Sequence, residues 1–328
     1  MQRRDLLRSV LAAGTLTASG LPLARAQGAA WPQRPIKLVV PYPAGSSPDV
    51  VARLLAGQME KALGQPIVID NRAGAGGTLG TGVVAKATAD DHTFLFTTQS
   101  PLVTAPLLMK QLPYDPFTEL APVTQVATSP LVLAVDPRLG ANNVRDFVRL
   151  AKASNGSFNY ASTGIGQATH LSMELFKTRA GFDILHVPFQ SSPQAVTAML
   201  GGQIQASFMV PGVAMGHVQA GKLTVVGVTS AQRLPGLPDV PTIAEQGYPD
   251  YESVAWHAVL APARTHPAVL ERMAAEAAKV IGSSGFRTPL AAQYFAPTGG
   301  GPAELAAIMK RESALWGKVI QAAGIQPS

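Results

Sequence analysis

The chain has 328 residues, with no Cys, 47% hydrophobic residues and only 14% charged. At ~150 residues per domain this is one large or two medium domains, and the composition is the opposite of a disordered chain. No apolar run reaches the ~18 residues of a membrane span. The lack of Cys excludes a disulfide scaffold, a Cys-ligated zinc, an Fe–S cluster and a thiol nucleophile.

The N-terminus qualifies the formal charge of +6. Residues 1–26 place Arg3-Arg4 and Arg8 ahead of an apolar, small-residue stretch from Val10 to Leu23, and end Ala24-Arg25-Ala26. This is the layout of an export signal cleaved after Ala26, so a periplasmic protein is expected. Arg3-Arg4 followed by Asp5-Leu6-Leu7 resembles a twin-arginine signal; an ordinary secretory signal holding two arginines is the alternative. Its removal takes four Arg and one Asp, leaving 22 basic and 19 acidic residues, net +3. That balance is no nucleic-acid footprint.

Along the mature chain, short Val- and Ile-rich runs read as buried strands: Ile36–Tyr42, Pro66–Asn71, Thr93–Thr98, Leu131–Val135, Phe158–Ser162, Ile184–Phe189, Ala206–Val210, Thr224–Val228 and Val254–Ala261. Helical patterns lie between them at Asp49–Leu63, Val144–Ala153, Ala168–Ala180, Pro193–Leu200, Pro267–Ile281 and Pro302–Ala323. Strands without strict alternation, separated by helices, predict mostly parallel sheets covered on both faces. The strands are too many for one compact sheet, so two α/β lobes are expected. The Pro-rich, polar stretches Ser100–Thr128 and Leu234–Pro249 suggest where the chain crosses between them. The predicted division is 27–128 with 254–328 as a discontinuous first lobe and 129–253 as the second, with a ligand cleft between.

Candidate chemistry sits in strand-to-helix loops. The first, Pro41–Asp49, carries Tyr42, Gly45, Ser46 and Ser47 immediately before a helix, where backbone N–H groups and the dipole attract an anion. Ser47 or Asp49 could instead simply cap that helix. The second, Asn71–Gly80, offers glycines, but the spacing is not that of a dinucleotide site, and the next strand ends in hydroxyls at Thr97 and Thr98 rather than an acid. The third, Ala161–His170, contributes Ser162, Thr163, Gly164 and His170; the fourth, Val187–Pro193, contributes Phe189, Gln190 and Ser191. Each alone could be an ordinary turn. Four small, polar loops together suggest an anion held by neutral donors, without a buried unpaired counter-charge.

Catalytic and metal signatures are thin. There is no G-x-S-x-G elbow, no H-E-x-x-H and no P-loop, and the six His show no H-x-x-x-H pair. No cofactor and no metal are expected. His170 could be a base near a helix start or merely a capping residue.

Trp31-Pro-Gln-Arg-Pro-Ile-Lys-Leu-Val-Val-Pro-Tyr-Pro-Ala-Gly45, followed by Asp49 and Arg53, resembles the opening of the Bug (TctC-like) family. These are extracytoplasmic solute receptors of tripartite tricarboxylate transporters. The likeness continues through Gly64-Gln65-Pro66, Asn71–Gly77, Gly201-Gly202-Gln203 and Leu237–Thr242, and ends with Trp316–Ile320. It implies a two-lobed periplasmic-binding-protein architecture and a monomer that captures a small carboxylate for membrane permease subunits. Tyr42, Gly45, Ser46, Ser47, Ser162, Thr163 and Gly164 would then form the general carboxylate grip. Two departures matter. The first loop has Ala44-Gly45-Ser46 where the family often has Pro-Gly-Gly. After Phe208 stands Met209, where members that take amino acids have Asp. The expected ligand is therefore a mono- or dicarboxylate without an amine, its apolar or aromatic body against Phe189, Met209 and Trp256; plain core is the other reading of Phe189. A secreted hydrolase or isomerase working through His170 or Asp49, or a sensory receptor, are the alternatives.

Overall fold

A computed structural model describes residues 31–327. The expected export segment, residues 1–26, lies outside them. The chain begins with β1 (Ile36–Val40), α1 (Ser47–Leu63), β2 (Ile67–Asn71), α2 (Thr78–Ala85) and β3 (Thr93–Thr98). A π-helical turn, Ser100–Thr104, continues into α3 (Ala105–Leu108) and leads to β4 (Leu120–Pro130). Then follow β5 (Val132–Val135), α4 (Val144–Ala153), β6 (Asn159–Ser162), α5 (Ala168–Ala180), β7 (Leu185–Pro188), α6 (Ser192–Leu200), β8 (Ala206–Met209), α7 (Pro211–Gln219) and β9 (Thr224–Val228). The last elements are β10 (Val254–Pro262), α8 (Pro267–Gly282), α9 (Ser284–Ala292), β11 (Ala296–Pro297) and α10 (Pro302–Ala322).

The strands form two sheets, ordered β11-β4-β10-β3-β1-β2 and β7-β6-β8-β5-β9. The first draws only on strands before Leu131 and after Ser253, the second only on those between. Within each, the strands joined by helices pair in parallel: β1 with β2 and β3, β6 with β7 and β8. Antiparallel pairing enters with the two strands that arrive from the other sheet and with the short edge strand β11, which runs against β4. β10 runs against β3 and β4, and β5 against β8 and β9. A strand that follows a crossing rather than a covering helix is free of the parallel handedness constraint.

Local chemistry explains the elements around the loops. In α1, Val51, Leu55 and Met59 recur every fourth residue and are buried, Pro48 sits in the first turn, and Gly64 ends the helix in the left-handed region. In α4 the Asn143 side chain accepts from the Asp146 N–H, a direct N-cap over the buried stripe Val144, Phe147, Val148 and Ala151. Leu95, Leu102 and Leu120 of the first unit share one continuous apolar cluster with Phe147, Phe176 and Phe208 of the second, closed by Met309 and Trp316 of α10. The two sheet units are thus packed together through a common core.

The structure corrects two expectations. The sheets are mixed rather than mostly parallel, since five of the nine strand pairings among the described residues are antiparallel. Ser100–Thr128, read as irregular, holds the π-helical turn, α3 and most of β4. Its polar residues misled: Thr124 and Gln125 are buried strand residues, and the Thr124 hydroxyl is satisfied by the carbonyls of Gln125 and Gly300. Among the described residues no helix is long and apolar enough to cross a membrane.

Candidate functional site

The first loop is tied down by a buried carboxylate. Asp49, 1% exposed in the first turn of α1, accepts from the Gly45 N–H and Arg53 Nε at 2.8 Å and from Asn71 Nδ2 at 2.9 Å. Burial works to raise its pKa, but the hydrogen bonds from Arg53, Asn71 and Gly45 outweigh it and hold Asp49 below the ordinary carboxylate value. Asp49 is therefore not the cap that was one reading of it. Ser46 occupies the N-cap position, yet its hydroxyl caps nothing: Oγ is shielded from solvent and has no hydrogen-bond partner. A buried hydroxyl left unpaired at a helix N-terminus is unusual and favours a polar ligand there.

A chain of contacts links the loops. Tyr42 Oη and Thr98 Oγ1 are hydrogen-bonded at 2.6 Å, joining the first loop to the end of β3. Gly77 of the second loop, at φ +97°, lies so near that a Cβ there would sit 2.8 Å from Tyr42 Oη. Only glycine permits both that conformation and that approach. Gln167 Nε2 of the third loop then reaches Gly76 O at 3.4 Å, passing from the second sheet unit to the first. The loops after β1, β2, β3 and β6 form one contiguous rim.

The third and fourth loops are braced from behind. Ser162, 1% exposed, has Oγ 2.6 Å from His186 Nε2 and accepts from the Gly164 N–H at 3.1 Å. Thr169 Oγ1 accepts from the Thr163 N–H at 2.9 Å and lies 3.0 Å from the Thr163 hydroxyl. The Phe189 N–H donates to Ser162 O, fastening the fourth loop to the third. Under them His170 and His186 stack with ring centroids 4.0 Å apart, and Tyr160 stacks on His186 at 4.8 Å. The Tyr160 hydroxyl donates to Glu174, which also pairs with Lys177. Burial, then the neighbouring ring of His170, pushes His186 down to about 3; burial and then Lys177 push His170 to about 4. Both rings are neutral at pH 7. His186, Thr169 and Gln167 were not singled out in the sequence, where nothing marks their pairing.

The remaining residues fall apart from this rim or behind it. His170 is 3% exposed and its Nδ1 accepts from the Gly166 N–H, so it braces the loop from inside. Met209 is 3% exposed and packs in a core cluster with Val132, Ala161 and Val228. Trp256 is 1% exposed and donates to Glu312 on α10. Phe189 is half-buried against the Met209 cluster, Gln190 is exposed with its N–H bonded to Gln194 Oε1, and Ser191 precedes α6 without capping it. Among the described residues no cluster of His, Asp and Glu could hold a metal ion.

The arrangement belongs to a solute receptor. The family model described as tripartite tricarboxylate transporter family receptor matches residues 51–325, and the chain belongs to that family. Protein BugT of Bordetella pertussis is 35% identical over 295 residues, covering 90% of each chain. Among solved structures, R. palustris Rpa4515 with adipate superposes with a TM-score of 0.85 at 34% identity, covering 91% of this chain and 100% of that one. MatC from Rhodopseudomonas palustris with bound malate gives 0.78 at 29% identity, covering 88% and 99%. The expected Bug resemblance and two-lobed architecture are borne out.

Proposed function

We propose that the chain is a periplasmic receptor that captures a small aliphatic mono- or dicarboxylate between the first and third loops and delivers it to the permease of a tripartite tricarboxylate-type transporter. The observation that carries this reading is the unpaired, shielded hydroxyl of Ser46 at the N-terminus of α1, on a rim continuous with the loop that opens α5. Two helix N-termini and neutral hydroxyls favour an anion, and the one buried acid of the first loop, Asp49, is already neutralised by Arg53. The adipate and malate bound by related structures support a carboxylate. With Met209 and Trp256 enclosed in cores, two of the three side chains expected to hold an aromatic body are withdrawn, which favours an aliphatic one.

Ser162 and His186 resemble a nucleophile and base, but His186 is pushed to about 3 and is a weak base at neutral pH. Their bond suits loop geometry better than turnover. The test is a thermal-shift screen of the protein lacking residues 1–26 against aliphatic and aromatic mono- and dicarboxylates and amino acids, followed by calorimetric titration. A ligand at a hundred times its dissociation constant adds roughly 2.7 kcal/mol of stability. Stoichiometric binding of an aliphatic acid with no turnover is expected. Absence of stabilisation by every carboxylate, or turnover of the hit, would overturn the assignment.

A further inference from the structure

Gly166 is held from two sides. Its N–H donates to His170 Nδ1 at 3.1 Å, within its own sheet unit. Its carbonyl accepts from Thr104 Oγ1 at 2.8 Å and Ser100 Oγ at 3.3 Å, both on the π-helical turn that follows β3 of the other unit. Thr104 is fully buried and Ser100 and His170 nearly so, which makes loss of the short Thr104 bond costly. The fit is close: at φ +75°, a Cβ on Gly166 would lie 2.5 Å from Leu108 Cδ1. None of these groups belongs to the proposed carboxylate grip of Ser46, Ser162 and Thr163.

We propose that Ser100, Thr104 and His170 are positioning residues for ligand binding, acting through the Gly166 peptide to fix the third loop against the first sheet unit. This rests on the reading of the third loop as half of the carboxylate grip. Gly166 lies three residues from Thr163 and joins the loop to the start of α5, so its peptide sets where the Thr163 and Gly164 N–H groups stand. A π-helical turn is an irregularity that recurs at functional sites. Here it turns two hydroxyls, one helical turn apart, onto a single carbonyl of the other unit. The neutral ring of His170 supplies the acceptor on the opposite side, and its stacking on His186 ties the same brace to Ser162.

The test compares Thr104→Val, Thr104→Ser and Gly166→Ala with the wild type, using the best carboxylate from the screen. Thr104→Val removes one hydroxyl at nearly constant volume and should weaken binding by roughly three- to tenfold, mainly by faster dissociation. Thr104→Ser keeps the hydroxyl and should restore affinity to within roughly twofold. A purely structural role would lower the melting temperature without this pattern of loss and rescue in affinity. Gly166→Ala should weaken binding further, because an alanine is strained at φ +75° and its Cβ must displace Leu108 Cδ1 or shift the Gly166 peptide. Where that variant fails to fold, the Thr104 pair decides alone. A wild type that binds no carboxylate defeats the functional assignment. A wild type that binds while Thr104→Val binds equally well defeats this inference and leaves the assignment standing.

Discussion

Replacing Asp49 by Ala tests whether the first loop is organised by its buried carboxylate. The change deprives three donors of their acceptor: the Gly45 N–H, Arg53 Nε and Asn71 Nδ2. Hydrogen bonds to a charged partner are worth about 1.5–3 kcal/mol each, but these losses do not simply add. Gly45 is exposed and its N–H can turn to water, Arg53 is half exposed and resolvates, and Asn71 Nδ2 keeps its bond to Tyr42 O. A net cost of about 2–3 kcal/mol follows, or about 4–12 °C in melting temperature at ~2–4 °C per kcal/mol. Ligand affinity should fall roughly three- to tenfold as Gly45 and Ser46 lose their tether. Asp49→Asn, which keeps one acceptor oxygen but no charge, should lie between. Since the folded carboxyl is held below its ordinary value of 3.8, its stabilisation is full above that pH and is lost as pH falls through the depressed value. The gap between wild type and Asp49→Ala, followed by calorimetry, should therefore be constant from pH 5 to 7 and narrow below about 3.8. An Ala variant with wild-type melting temperature and affinity would refute the reasoning.

Met209→Asp places a carboxylate among Val132, Ala161 and Val228, and should cost about 4 kcal/mol or more, read as a fall in the urea midpoint; wild-type stability would show that the position opens to the loops. Burial holds His257 at about 4, below the usual 6.5, so stability should decline as pH falls from about 6.5 toward 4. His257→Leu should reduce that slope, and an unchanged slope would place the proton uptake elsewhere. Burial raises Glu312 above 4.5 despite the Trp256 and Trp316 N–H groups, so its contribution is full at low pH and lost as pH rises through the raised value. Glu312→Gln keeps an acceptor for Trp256 and should gain on the wild type between pH 4 and 7 in tryptophan-monitored urea unfolding; a constant difference would contradict this.

The parts of the fold legible in the sequence were those where local and tertiary preferences agree. Thr93–Thr98, Thr224–Val228, Val144–Ala153 and Ala168–Ala180 have the same limits in the structure as in the pattern. Each is a run of residues suited to its element with Gly, Pro or Asn near its ends. The helices α2, α7 and α9 escaped because they contain what usually ends a helix: Gly80 and Gly82, Gly212 and Gly216, and Pro289. Packing overrides weak propensity there, with Thr81 and Val84, Ala214, and Phe286 and Leu290 buried beneath them. β4 was hidden for a different reason. A strand covered on both faces needs no alternation, and polar residues on it can be satisfied by carbonyls far along the chain, as Thr124 is by Gly300.

The site was legible as a set of loops but not as a set of bonds, and sheet order explains the difference. Glycine, proline and hydroxyl residues after each strand mark a strand-to-helix loop in any α/β chain, so the four loops could be found one at a time. Their partners depend on which strands become neighbours. His186 meets Ser162 because β7 pairs with β6 in parallel, Ser162 opposite Pro188, and no spacing rule joins residues 24 apart. Gly166 meets Thr104 only because the chain crosses between sheets and the two units share one core. Met209 shows the same limit from the other side. Its neighbour Phe208 and the other residues of β8 are all buried, since an inner strand is covered on both faces. Position next to a loop therefore says nothing about whether a side chain reaches the ligand; the covering elements decide it, here the cluster that also takes in Ala214 of α7.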